Sequence, residues 1–141
     1  LCRKGWRRHR VVTAFQEIDR LLTDYFDMLY YCDVDKLEKV FHPLAIYATA
    51  DEPPVLYRNM PEYKAVIAAR TSPASSGEVR RDHVDAIELA GDNTAFARVR
   101  CSIGARDFVD FLTLVRVDGN WQIIAKVFQI IENKQEVLCP T

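Results

Sequence analysis

Two charged side chains stand in runs that otherwise read as apolar β-strand: Asp110 between Val109 and Phe111, and Lys126 between Ala125 and Val127. A shielded carboxyl can act as a base or an acceptor, and a shielded ammonium can hold an anion or tune a neighbour. The plainer reading of Lys126 is an ion pair with an acid, or a lysine whose stem packs while its ammonium reaches solvent. His83 and Asp85, two apart on a strand, would share one face. With Tyr25, Tyr30, Tyr31 or Tyr47 they could form an acid–base set; the bland alternative is a solvated strand end made by Asp82, His83 and Asp85. Arg98, Arg100, Arg106, Asp107 and Asp110 offer the residue types of an Asp-Arg-Asp set that activates water. There is no glycine-rich phosphate loop, HExxH metal motif or nucleophile elbow, and no metal or cofactor is expected.

The elements that must position these residues follow from periodicity. Thr13-Ala-Phe-Gln16 reads as a capping box, followed by Phe15, Ile18, Leu22, Tyr25 and Leu29 at helical spacing, with Leu21 and Phe26 widening the stripe. Asp33 or Asp35 can cap a short second helix carrying Val34, Leu37 and Phe41, which His42-Pro43 stops. Residues 44–50 and 54–58 read as short strands around Asp51-Glu-Pro-Pro54. Pro61 suits the first turn of a third helix, and residues 71–77 form a small polar linker. Strands are expected near 80–90, 94–103, 107–117 and 120–132. Asp118-Gly119 between the last two is the signature of a tight hairpin. In the strand 94–103, Ala95, Ala97, Val99 and Cys101 alternate with Phe96, Arg98 and Arg100, which puts the small residues inside and the arginines outside.

The chain has 141 residues, 49% of them hydrophobic and 28% charged, which fits one ordinary globular domain. Net charge is −1. Arg3, Lys4, Arg7, Arg8 and Arg10 are gathered in the first ten residues with no acid, so the remainder is acidic. Residues 1–11 are expected to be a flexible basic arm, 12–132 the domain and 133–141 a tail. No apolar run approaches the ~20 residues that span a bilayer, and neither a membrane nor a nucleic-acid partner is expected. Cys2, Cys32, Cys101 and Cys139 form neither a disulfide framework nor a zinc spacing, which suits free thiols in a reducing cytoplasm.

Phe41-His42-Pro43, Gly91-Asp92 with Ala95 soon after, Asp110-Phe-Leu-Thr-Leu114, Asp118-Gly119 and the run Trp121–Phe128 carry a resemblance over about residues 12–132. The chain resembles the nuclear-transport-factor-2-like superfamily, which includes SnoaL-like proteins, and within it the "putative lumazine-binding" family. The resemblance implies a cone-shaped α+β fold, with N-terminal helices on a curved, mainly antiparallel sheet, and homodimerisation through the sheet face. Superfamily members range from ketosteroid isomerases and scytalone dehydratases to non-catalytic modules, so fold does not settle function. Isomerases use a tyrosine donor, a carboxylate base and a protonated acid as second donor. The resemblance sets Tyr25 at the tyrosine position, but Thr49 at the base and Thr113 at the second acid. Asp51 is the one carboxylate that a shifted register could bring to the base. By strand length the resemblance would also turn Arg98 and Arg100 inward, against their periodicity. The expected protein is a homodimer binding a small hydrophobic or ring-containing ligand. Its pocket would be lined by Tyr25, Phe26, Leu29, Thr49, Tyr63, Thr113, Lys126 and Phe128. A SnoaL-like or scytalone-dehydratase-like lyase, isomerase or hydrolase using Tyr25, His83, Asp85 or Asp110 is the alternative, and a non-catalytic dimerisation module the second.

Overall fold

A computed structural model describes residues 2–132, with side chains described from Thr13 onward. The basic side chains of the expected arm and the tail 133–141 lie outside the described residues. Helix α1 (Cys2–Tyr31) runs straight through Thr13–Gln16, so that segment starts no helix. Its apolar stripe buries Ile18, Leu22, Tyr25 and Leu29 with Leu21, Phe26 and Met28. Such a face is what holds a helix on a sheet, at about 1.5–3 kcal/mol for each large apolar side chain fully buried.

Asp33 caps α2 (Val34–Val40), its carboxylate accepting from the Lys36 amide. The chain then turns directly into β1 (Phe41–Thr49), so Phe41 belongs to the strand and not to the helix. After β2 (Leu56–Arg58), Asn59 and Glu62 form a reciprocal capping box that starts α3 (Met60–Ala69). The remaining strands are β3 (His83–Ala90), β4 (Thr94–Ile103), β5 (Arg106–Val117) and β6 (Asn120–Glu132).

One six-stranded sheet results, in the order β2-β1-β6-β5-β4-β3. Every pairing is antiparallel except β1 with β6. The α+β architecture matches expectation: three helices pack on a curved sheet, which leaves β2 and β3 as open edges. At the β5–β6 hairpin, Asp118 (φ 50°) and Gly119 (φ 80°) both take the positive φ that a type I′ turn demands.

An irregularity in β6 decides what faces the core. Pairing with β5 shifts between Thr113 and Leu114: Leu114 faces Ile123, but Thr113 faces Ala125. One extra residue, Ile124, is therefore inserted on β6, a β-bulge. Before it, Trp121 and Ile123 are buried; after it, Lys126 and Phe128 are. Strict alternation from Trp121 would have turned Lys126 out to solvent.

Candidate functional site

On β5 the inward positions are Asp110, Leu112 and Leu114, all fully buried. Opposite them on β6, Leu112 pairs with Lys126 and Asp110 with Phe128. Asp110 and Lys126 are thus diagonal neighbours on the inner face, a spacing of roughly 7–8 Å. Helix α1 lays Tyr25 across this pair. The Tyr25 hydroxyl donates to Asp110 Oδ2 at 2.6 Å, and Lys126 Nζ sits 5.1 Å from the Tyr25 ring centroid. Three more rings surround the ammonium: Tyr47, Tyr63 and Phe128, at 5.3, 5.4 and 5.4 Å. Such distances are those of cation–π contact. Lys126 also donates to the Tyr63 hydroxyl at 3.4 Å. Neither plainer reading of Lys126 holds: its ammonium is buried away from solvent, and what surrounds it is a tyrosine hydroxyl and four rings, with no carboxylate in salt-bridge contact among the described residues.

The electrostatics match this geometry. Burial and the neighbouring Asp110 push the Tyr25 phenol well above its ordinary range. Burial raises Tyr63 as well, against the opposing pull of Lys126. For Lys126, burial works to strip the proton, but Tyr63 and Asp110 outweigh it and hold the amine above its usual value. It is an ammonium at neutral pH. Cys101 Sγ lies 3.7 Å from the same Asp110 oxygen, and burial followed by that carboxyl pushes its thiol well up, which disfavours the reactive thiolate in the closed protein. Asp110 Oδ1 is buried without a hydrogen-bond partner among the described residues.

Other expected site residues fall elsewhere. Thr113 is exposed on the outer face of β5; it lies three positions from Asp110, and an odd step along a strand changes face. Asp110, not Thr113, is the acid beside Tyr25. His83 and Asp85 are also exposed and share no site with Tyr25. Asp85 instead holds Arg100 through three hydrogen bonds of 2.9–3.1 Å, with His83 Nε2 3.4 Å away. The Arg100 hydrogen bonds draw its carboxyl below the ordinary range against the opposing effect of desolvation, with lesser help from the charges of Arg100, His83 and Arg98. Arg98 and Arg100 point outward as periodicity requires, and Arg106 pairs with Glu52 and Glu132. No Asp-Arg-Asp set forms among these residues. Thr49 is buried with its hydroxyl occupied, donating to the Phe128 carbonyl at 2.7 Å and accepting from the Asp51 amide at 3.1 Å. Asp51 is exposed and accepts from the Ile130 amide at 2.8 Å. Phe26, Leu29, Tyr63 and Phe128 are all buried at or beside the polar centre.

The interior is closed: Tyr25 and Asp110 expose no surface. A shallow, solvent-open cleft with a cavity volume of about 10 Å³, room for about one water, lies over it, lined by Phe26, Leu29, Tyr30, Cys101 and the segment Glu78–Asp82 among others. Cys101 connects the floor of that cleft to Asp110. Cys101 and Tyr47 were absent from the expected pocket, although the inward alternation Ala95, Ala97, Val99, Cys101 already pointed to the first. Among the described residues no three His, Cys, Asp or Glu side chains gather as metal ligands. No helix among them is long and apolar enough to cross a membrane.

Comparison with solved structures defines the class. The fold matches a nuclear-transport-factor-2-like protein of unknown function from Silicibacter pomeroyi, with TM-score 0.74 and 21% identity over 86% of this chain and 98% of that one. A second such protein, from Shewanella baltica, gives TM-score 0.75 and 20% identity over 85% and 95%. A ketosteroid isomerase-like protein from Erwinia carotovora gives 0.66 and 12% over 83% and 95%. At these identities the likeness is one of fold. The family model described as "Putative lumazine-binding" matches residues 13–129, and the chain belongs to that family. No curated protein matches it.

Proposed function

We propose that this is a homodimeric pocket protein that takes a small, ring-containing ligand inside the curved sheet. Tyr25, Tyr47, Tyr63 and Phe128 would meet the ring, and Asp110 and Lys126 would supply the polar contacts. The free thiols Cys32 and Cys101 suit a reducing cytoplasm. The observation that carries the reading is the buried Asp110–Tyr25–Lys126 centre. Burying an acid and an amine with hydrogen bonds unmade costs free energy that apolar side chains at both positions would avoid. A core whose task was only to hold helices on a sheet gains nothing from them, which weighs against a purely structural module.

One observation favours an enzyme, the 2.6 Å approach of Asp110 to Tyr25. The isomerase base has no counterpart at the expected position, because Thr49 is a hydroxyl already bonded on both sides and Asp51 is held at the surface. Ligand binding without turnover is therefore the better-supported reading. The test is a thermal-shift screen and calorimetry with pterins, flavins and polyketide-like ring acids. At least one compound is expected to stabilise the protein and to bind about tenfold more weakly to Lys126→Met. If no compound stabilises it, the dimerisation module remains.

A further inference from the structure

We propose that the interior ligand presents a hydrogen-bond donor, an N–H or O–H, to Asp110, and that Asp110 selects for it. The inference rests on the pocket reading above and names the chemistry of that site. In an isomerase-type centre, tyrosine and a protonated acid both donate to a ligand oxygen. Here the polarity is reversed. A phenol has one proton, and that of Tyr25 goes to Asp110 Oδ2. The Cys101 thiol reaches the same oxygen. Neither group keeps a donor for a ligand.

The group left over is Asp110 Oδ1, buried and without a partner among the described residues. Lys126 places a buried ammonium on the ring of the same Tyr25. With the Tyr25 hydroxyl and the Cys101 thiol both donating to it, Asp110 is used here as an acceptor. A carbonyl or enolate oxygen brought to this position would meet another acceptor. An N–H would complete the carboxylate instead.

Lys126 adds the second half of the pattern. Its three N–H donors make one hydrogen bond among the described residues, to Tyr63 at 3.4 Å. An acceptor on the same ligand can take another. A donor and an acceptor on one ring describe a lactam, a cyclic amide or an amino-heterocycle. The Tyr47 and Phe128 rings, packed edge to face on each other 4.8 Å apart centroid to centroid, form an aromatic wall beside the ammonium against which such a ring can lie.

Indole and benzofuran test this directly, as bicycles of one shape of which only indole carries N–H. Calorimetric or NMR titration of the wild type should show indole binding about tenfold more tightly or better, the effect of one hydrogen bond to a charged acceptor. In Asp110→Asn, the Tyr25 hydroxyl would hold the amide carbonyl at the Oδ2 position and turn the NH2 to the open one. The preference for indole should then vanish. Circular dichroism and a thermal melt establish that the variant is folded; if it is not, the wild-type comparison decides alone. Equal affinity for the two bicycles, or an indole preference that survives in Asp110→Asn, overturns the proposal and leaves the pocket intact. If a screened ring acid binds but neither bicycle does, the proposal is again overturned alone. If nothing binds at all, the pocket reading itself falls.

Discussion

Lys126 and Asp110 stabilise the fold only as partners, although no direct contact joins them. The Tyr25 side chain stands between, its hydroxyl on the acid and its ring under the ammonium. Lys126→Met would leave a buried acid without its countercharge, and losses of about 3–5 kcal/mol are typical of that change. Asp110→Leu should be costly for the mirror reason. The double variant should lose clearly less than the sum, with a coupling of at least ~1 kcal/mol in urea unfolding. Simple additivity would mean that the two charges do not sense each other. The pH dependence has a definite sign. Because the folded-state pKa of Lys126 lies above its unfolded value, the stability it adds is complete below about pH 10.4 and is lost only as pH climbs through the higher folded value. The gap between wild type and Lys126→Met should therefore be flat from pH 6 to 9. A gap shrinking inside that window would show the amine deprotonating there.

The segment between α3 and β3 closes the interior at the cleft. Tyr30 donates to the Glu78 carbonyl at 2.6 Å and accepts the Ala74 amide on its own carbonyl at 3.0 Å. Arg80 bridges Asp27 at 2.8 Å and Asp82 at 2.9 Å while lying 4.9 Å over the Tyr30 ring. These are polar, half-exposed contacts, the kind that open locally before a core does. With Cys101 as the only remaining cysteine, Arg80→Ala should raise its alkylation rate roughly fivefold, as for the loss of about 1 kcal/mol of surface pairing. An unchanged rate would mean that access runs elsewhere. The same elements show what the sequence could disclose. Inward Ala95, Ala97, Val99 and Cys101 were readable because β4 has a clean period of two. Lys126 stood among the expected pocket residues, but strand periodicity could not put it there, because β6 changes phase at Ile124 and nothing in Ile123-Ile124 announces it. Asp110 was singled out as anomalous, yet its contact with Tyr25 depends on how α1 crosses the sheet, which strand patterning does not encode. Thr113 was misplaced because likeness to a distant family can be off by one or three residues, and either error reverses a side chain.

Across the molecule, the outer face of the sheet remains to be accounted for. Phe111 and Val127, opposite each other on β5 and β6, are 49% and 47% exposed. Phe96 packs edge-on against Phe111 at 5.3 Å. A contiguous aromatic and aliphatic patch of this kind is normally covered, and a second copy of the chain is the occupant we propose. Sedimentation at micromolar concentration should report a dimer for the wild type and a monomer for Phe111→Lys, whose inner core is untouched. A monomeric wild type would refute the dimer. The inserted Ile124 links this outer surface to the interior. In a strand of unbroken phase, Trp121 and Lys126 would stand on opposite faces, and the chain would have to keep one inside at the expense of the other. The half-period slip removes that conflict: the stretch before it serves as ordinary packing and the stretch after it as recognition chemistry, both read from one side of a single strand.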